Sequence, residues 1–234
     1  RSGFDSNLFV NGISSKDYEA LRTSVNSPLF NRAVQGQYPP GSTIKPMLGL
    51  AGLTLNLIEA DSTVADPGWY QLAGDSRRYR DWILRIRGTG HAPEVDLRMA
   101  IAESCDVYYY DLAHRMGIER VAESLAPYGF GVLTTLDTTG EKAGILPNTD
   151  WKRQRLGEPW YPGETLSVGI GQGYMLATPL QLAQATMVLA NRGTSFVPSL
   201  VKRVGESPNG AEVRPPLIAA EDHWRSIIEG MMDV

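Results

Sequence analysis

Tyr38-Pro39-Pro40-Gly41-Ser42-Thr43-Ile44-Lys45-Pro46, residues 38–46, is the stretch on which the fold turns. After its two prolines and glycine, Ile44, Met47, Leu48, Leu50, Ala51, Leu53 and Leu57 crowd one short window, the mark of a largely buried helix. Pro46 falls in the first turn, where its missing N–H is not needed. Ser42 then stands at the helix N-terminus, with Lys45 one turn later on the same face. That placement suits an activated nucleophile. A Lys amine desolvated among apolar groups accepts the serine proton, and the Ser42 backbone N–H points at the developing oxyanion. The tetrapeptide alone is a weak signal: a chain of this length holds an S-x-x-K by chance about one time in three, and an ordinary surface helix start has the same spacing.

Upstream, residues 1–41 are rich in Ser, Asn, Gly and Pro and begin without a cap or a strand boundary, which reads as a segment cut mid-domain. Downstream, residues 60–93 lose all periodicity, and an irregular excursion of that length is usually functional. Asp96 caps a second amphipathic helix whose Leu97, Ala100, Ile101, Tyr109, Leu112 and Met116 keep a 3.6-residue period as far as Gly117. A short helix over Glu119 to Ala126 follows. Thr178-Pro179 and Gly193 bracket a helix over 179–192, because Thr caps and Pro suits the first helical position. Ser195 to Val204 reads as a strand, and Ala220-Glu221-Asp222 opens a last helix.

Composition bounds the rest. A chain of 234 residues with 42% hydrophobic and 21% charged residues is an ordinary globular one, long enough for one substantial domain with two lobes. A net charge of -4 and the lack of a basic block interleaved with aromatics argue against a nucleic-acid surface. No stretch reaches the roughly 18 to 20 apolar residues that span a bilayer. The single cysteine, Cys105, rules out an intrachain disulfide and leaves the compartment open.

Asn31-Arg32-Ala33 and Tyr38-Pro39-Pro40-Gly41 lead into Ser42, and Pro46 follows Lys45; this context resembles the first motif of class B penicillin-binding proteins. A second motif, Ser-x-Asn in that family, matches Ser104-Cys105-Asp106 with Asp in place of Asn, followed by the run Val107 to Tyr110. Read without the resemblance, these residues are a helix face with a polar kink. The S-x-D form resembles the elongation-specific members of the class, penicillin-binding protein 2. Phe9-Val10-Asn11-Gly12-Ile13, Asp66-Pro67-Gly68, Pro159-Trp160-Tyr161, Ser167-Val168-Gly169-Ile170-Gly171-Gln172-Gly173 and Ala177-Thr178-Pro179 extend the likeness over almost the whole chain. The Gly-rich run is by itself a turn before a helix, and no Lys-Ser/Thr follows it as a phosphate loop requires. The family's third motif, Lys-Thr/Ser-Gly, occurs nowhere in the 234 residues.

The resemblance implies an α+β, penicillin-recognising fold of the serine transpeptidase and β-lactamase type. It would be a five-stranded antiparallel sheet flanked by helices plus an all-helical lobe, incomplete at both ends in residues 1–234. Ser42 would be the nucleophile, Lys45 its base, Ser104 the proton relay and Asp106 the residue that fixes Lys45. The substrate would be the D-Ala-D-Ala end of peptidoglycan stem peptides, with β-lactam antibiotics as mimics. The implied setting is the periplasmic face of the inner membrane, anchored by a helix outside this chain, beside a SEDS-family glycosyltransferase of the elongation complex.

Asp66, Asp81, His91 and Cys105 form a separated set of oxygen, nitrogen and sulfur donors that suits zinc. Spacing does not demonstrate a site: there is no C-x-x-C pair, and a lone buried Cys with scattered carboxylates is commonly packing. The elongation-specific proteins of several Gram-negative bacteria hold zinc through two Asp, one His and one Cys, and the resemblance implies this set, with Asp75 as a substitute for either Asp. Two other functions share parts of the pattern. A serine β-lactamase needs a deacylating base or a carboxylated lysine, and no Glu-x-x-Leu-Asn stretch is present; a β-lactam sensor or scaffold would account for the missing third motif.

Overall fold

The computed structural model describes residues 3–135, 137–210 and 212–234. In chain order it forms helix α1 (Ser15–Arg22), the turn α2 (Arg32–Gln35), and a 3₁₀ turn over Gly41–Ile44 that runs straight into α3 (Lys45–Thr54). The excursion holds short strands β1 (Val64–Ala65), β2 (Trp69–Tyr70) and β3 (Tyr79–Arg80), the turn α4 (Leu84–Arg87) and strand β4 (Glu94–Val95). Helices α5 (Leu97–Ala102), α6 (Asp106–Leu125), α7 (Thr149–Leu156), α8 (Pro162–Gly169) and α9 (Pro179–Ala190) follow. Strands β5 (Ser195–Phe196), β6 (Arg203–Val204), β7 (Ser207–Pro208) and β8 (Val213–Arg214) precede the last helix, α10 (Glu221–Met232).

The core lies where α3, α5, α6, α8 and α10 meet. Ile44, Leu48, Leu97, Tyr109, Leu112, Leu166, Val168 and Ile227 are all buried there. Each fully buried Leu or Ile contributes about 1.5–3 kcal/mol relative to exposure. Gly49 marks the closest approach: a Cβ at that position would lie 3.0 Å from Leu97 Cδ1 and 3.1 Å from Ile227 Cδ1. The α3 helix stops at Thr54, short of Leu57, because Asn56 takes a left-handed φ of 55°.

Strand content is sparse. Four antiparallel pairs, β1–β4, β2–β3, β5–β8 and β6–β7, make the molecule α+β, and the five-stranded sheet is not assembled among the described residues. The strand expected over Ser195 to Val204 forms only at its ends, since Pro198 has no N–H to give a ladder. The helix expected from Asp96 to Gly117 is also divided. Asp96 caps α5 by accepting the Met99 N–H at 2.8 Å, but Ser104 turns left-handed at φ 56° and α6 starts afresh at Asp106. Two caps start α6: Cys105 at its N-cap accepts the Tyr108 N–H through Sγ at 3.4 Å, and from the excursion Asp81 accepts the Asp106 and Val107 N–H groups at 2.6 and 3.2 Å. Gly117 breaks the helical backbone inside α6 at φ 73°, as expected. At α9, Thr178 and Gln181 form a reciprocal capping box, and the helix ends at Ala190, just short of the expected 192.

Candidate active site

Ser42 lies exposed on the 3₁₀ turn, while Lys45, one turn on, is 1% exposed. The turn is held from behind by the Gly-rich run. The Gly41 N–H donates to the Gly171 carbonyl at 2.8 Å, and Tyr38 and Ala177 exchange both backbone bonds at 2.9 Å. Gly171 has φ 70°, and a Cβ there would overlap the Gly41 backbone. A segment that reads in sequence as a structural turn therefore sits directly against the serine-bearing turn.

Lys45 Nζ gives hydrogen bonds to the Ser104 carbonyl at 2.8 Å, Ser104 Oγ at 3.2 Å and Asp106 Oδ1 at 2.6 Å. All three ammonium protons are thereby directed at the second motif, and among the described residues none goes to Ser42. Burial pushes the Asp106 carboxyl up, and the adjacent Lys45 charge works against it. Ser104 occupies the left-handed region, at a cost of about 1–2 kcal/mol for a non-glycine residue. Two donors converge on its carbonyl, Lys45 Nζ and, at 3.1 Å, the Trp82 indole N–H. Sequence reasoning did not single out Trp82, although it follows Asp81 directly; its ring also meets His91 edge-on, with centroids 5.7 Å apart.

The structure brings Asp66, Asp81, His91 and Cys105 together: their donor atoms all lie within 4.8 Å of one another. Cys105 Sγ is 3.6 Å from Asp66 Oδ2, and His91 Nε2 is 3.2 Å from Asp81 Oδ1. Asp66 also accepts the backbone N–H groups of Gly68 at 2.8 Å and His91 at 2.7 Å. Gly90 permits that approach, since any Cβ there would overlap Asp66. Asp75 does not join the set; it accepts the Arg77 N–H at 2.9 Å in an exposed turn and lines a different groove. Glu103 does join, through Oε2 3.1 Å from His91 Nδ1, a contact that aims Nε2 at the other donors and that no sequence spacing signalled. Burial pushes the Cys105 thiol up.

The set fits a metal by its chemistry. Asp66 and Asp81 are 5% and 2% exposed, and among the described residues no Lys or Arg pairs with either. Buried carboxylates without a cation are costly, and a divalent ion that displaces the thiol proton would supply one.

Residues 4–234 match the family model described as penicillin binding protein transpeptidase domain. The peptidoglycan D,D-transpeptidase MrdA of Escherichia coli K12 is 45% identical over 99% of this chain and 36% of that protein. Penicillin-binding protein 2 of Pseudomonas aeruginosa, solved in complex with WCK 5153, superposes with a TM-score of 0.91 at 44% identity, covering 97% of this chain and 49% of that one. The same protein from Helicobacter pylori, solved in complex with MreC, gives a TM-score of 0.81 at 31% identity over 97% of this chain and 40% of that one. The chain spans about a third of the length of the curated relatives it matches. The α+β arrangement expected from the motifs is the fold these structures share.

Proposed function

We propose, from the premise that this chain belongs to the penicillin-binding-protein transpeptidase family, that it carries the acylating centre of a peptidoglycan D,D-transpeptidase. The observation that carries the reading is Lys45, buried one turn behind Ser42 and bonded to Ser104 Oγ and Asp106 Oδ1. Acylation requires Lys45 to give up the proton it directs at the Ser104 carbonyl; the amine then keeps two N–H donors for Asp106 and Ser104 Oγ and turns its lone pair to the Ser42 hydroxyl. Ser42 Oγ passes its proton to Lys45 Nζ as it bonds to the carbonyl carbon of the penultimate D-Ala. The Ser42 N–H stabilises the resulting oxyanion. Collapse breaks the C–N bond, and the leaving D-Ala nitrogen takes the proton from Lys45 by way of the Ser104 hydroxyl. The amine of a neighbouring stem peptide then attacks the ester by the reverse sequence, restoring Ser42. A β-lactam follows the first half, but its leaving nitrogen stays tethered and the ester persists.

The donor set is proposed to hold one zinc ion through Asp66, Asp81, His91 and Cys105, with Glu103 orienting His91. Bound there, zinc supplies a structural cross-link between the excursion and the second motif. Activity in cell-wall elongation, at the periplasmic face of the inner membrane beside a SEDS-family glycosyltransferase, belongs to the same proposal. The MrdA relatives support the peptidoglycan chemistry and the MreC complex of the Helicobacter protein supports work within an assembly, while the membrane setting and the glycosyltransferase rest on the resemblance alone.

The test is incubation of the full-length protein with a fluorescent penicillin, followed by a chase. A stable adduct that maps to Ser42 is expected. An adduct that turns over would favour a β-lactamase, and no adduct would favour a sensor or scaffold.

A further inference from the structure

In a chain of net charge -4, residues 77–87 hold five arginines and one acid, Asp81. Three of the five are engaged. Arg77 lies 4.7 Å from the centre of the Tyr79 ring, Arg78 lies 4.0 Å from that of Trp69, and Arg87 pairs with Glu103 at 3.3 Å. Arg80 and Arg85 have neither an ion pair nor a ring contact among the described residues. Both line one groove of about 430 Å³, together with Trp82, Tyr110, Gln172 and Asp106 of the second motif.

Neither acid in that groove is open to the arginines. Asp106 is paired with Lys45, and the Asp81 side chain is fully buried, turned to the N–H groups of Ile83, Asp106 and Val107 and to His91 in the donor set. The charge exposed along the groove is therefore positive. Arg80 sits on β3, whose ladder pairs it with Trp69, and Arg85 sits on α4, so both stems leave ordered backbone. Two guanidinium groups opening on one groove match a carboxylate, which Arg binds with paired, charge-assisted bonds.

We propose that Arg80 and Arg85 form a subsite for a free carboxylate of the stem peptide, one borne on the body of the peptide away from the reacting D-Ala-D-Ala end. This deepens the transpeptidase reading and rests on it for the identity of the ligand. The groove reaches Asp106 and therefore runs beside the proposed acylation centre, where a second carboxylate on the same peptide would fix its register.

The test uses the full-length protein carrying Ser42→Ala, titrated by ligand-observed NMR with two synthetic peptides ending in D-Ala-D-Ala. One has a free carboxylate on its body, and the other has that group as the amide. The free carboxylate is expected to bind about tenfold more tightly, with an advantage that shrinks as salt is raised. Arg80→Gln and Arg85→Gln should each remove part of the advantage and the pair together all of it, with unchanged circular dichroism. Arg80→Lys/Arg85→Lys, which keeps the charge, should retain an intermediate preference and serves if the glutamine pair does not fold. Equal binding of the two peptides, or a preference that survives the double glutamine variant, overturns the subsite. Failure of penicillin to acylate the protein with Ser42 intact, while the carboxylate preference is present and arginine-dependent, would overturn the transpeptidase reading and leave the subsite standing. Acylation by penicillin with neither peptide bound would do the reverse.

Discussion

Lys45 is the side chain on which the proposed chemistry depends, and its three hydrogen bonds separate two effects that a single substitution would mix. Ser42→Ala is expected to abolish covalent penicillin labelling while the protein stays folded, because the hydroxyl is the atom acylated; label found at Ser104 would sink that assignment. Lys45→Ala should slow acylation by on the order of 10² to 10⁴, the usual contribution of a positioned base. It should also destabilise the fold by about 3 kcal/mol, since the Asp106 carboxylate loses its partner in a buried site. Adding Asp106→Asn to Lys45→Ala should recover part of that stability and none of the rate. If the double variant recovers the rate, or if Lys45→Ala is acylated at the normal rate, Lys45 is not the base.

At the scale of elements, two loops meet the serine and second-motif segments, and each junction can be cut separately. The Gly-rich run touches the Ser42 turn through Gly171, where any side chain would need both an unfavourable φ and space taken by Gly41. Gly171→Ala should therefore slow penicillin acylation and lower the unfolding temperature together; an acylation rate within twofold of wild type would show that the contact is incidental. The excursion meets α6 through Asp81 and Cys105. Protein purified without added metal is expected to contain about one zinc per chain. Cys105→Ser should lower that occupancy and reduce thermal stability, and slow acylation by loosening Ser104. Elemental analysis that finds no zinc in the wild type, or full zinc in the variant, would dismiss the ligand set.

At the scale of the whole molecule, α10 closes over α3 and α5, with Trp224, Ile227 and Gly230 buried and Ile227 reaching the Gly49 approach point. Ile227→Ala should destabilise by about 2–4 kcal/mol, the range for a truncated core aliphatic, in equilibrium unfolding; a loss below about 1 kcal/mol would mean that this contact is not part of the core. Read along the chain, Ser42 and Lys45 fall one turn apart, Asp96 and the Thr178–Gln181 box cap their helices, and Gly117 breaks its own, because each of these depends on neighbours within about four residues. The same local rule misled between Asp96 and Gly117, where an unbroken period concealed the left-handed Ser104. Cys105 caps the second half locally, but the Asp81 carboxylate that also holds its first N–H groups lies 25 residues from Asp106, and periodicity holds no record of so distant a cap. The resemblance named the four metal donors, but their convergence within 4.8 Å, the exclusion of Asp75 and the contacts of Glu103, Trp82 and Gly171 belong to the tertiary structure alone. Such contacts arise when loop closure brings segments far apart in the chain side by side, and only the packed core fixes which atoms then meet.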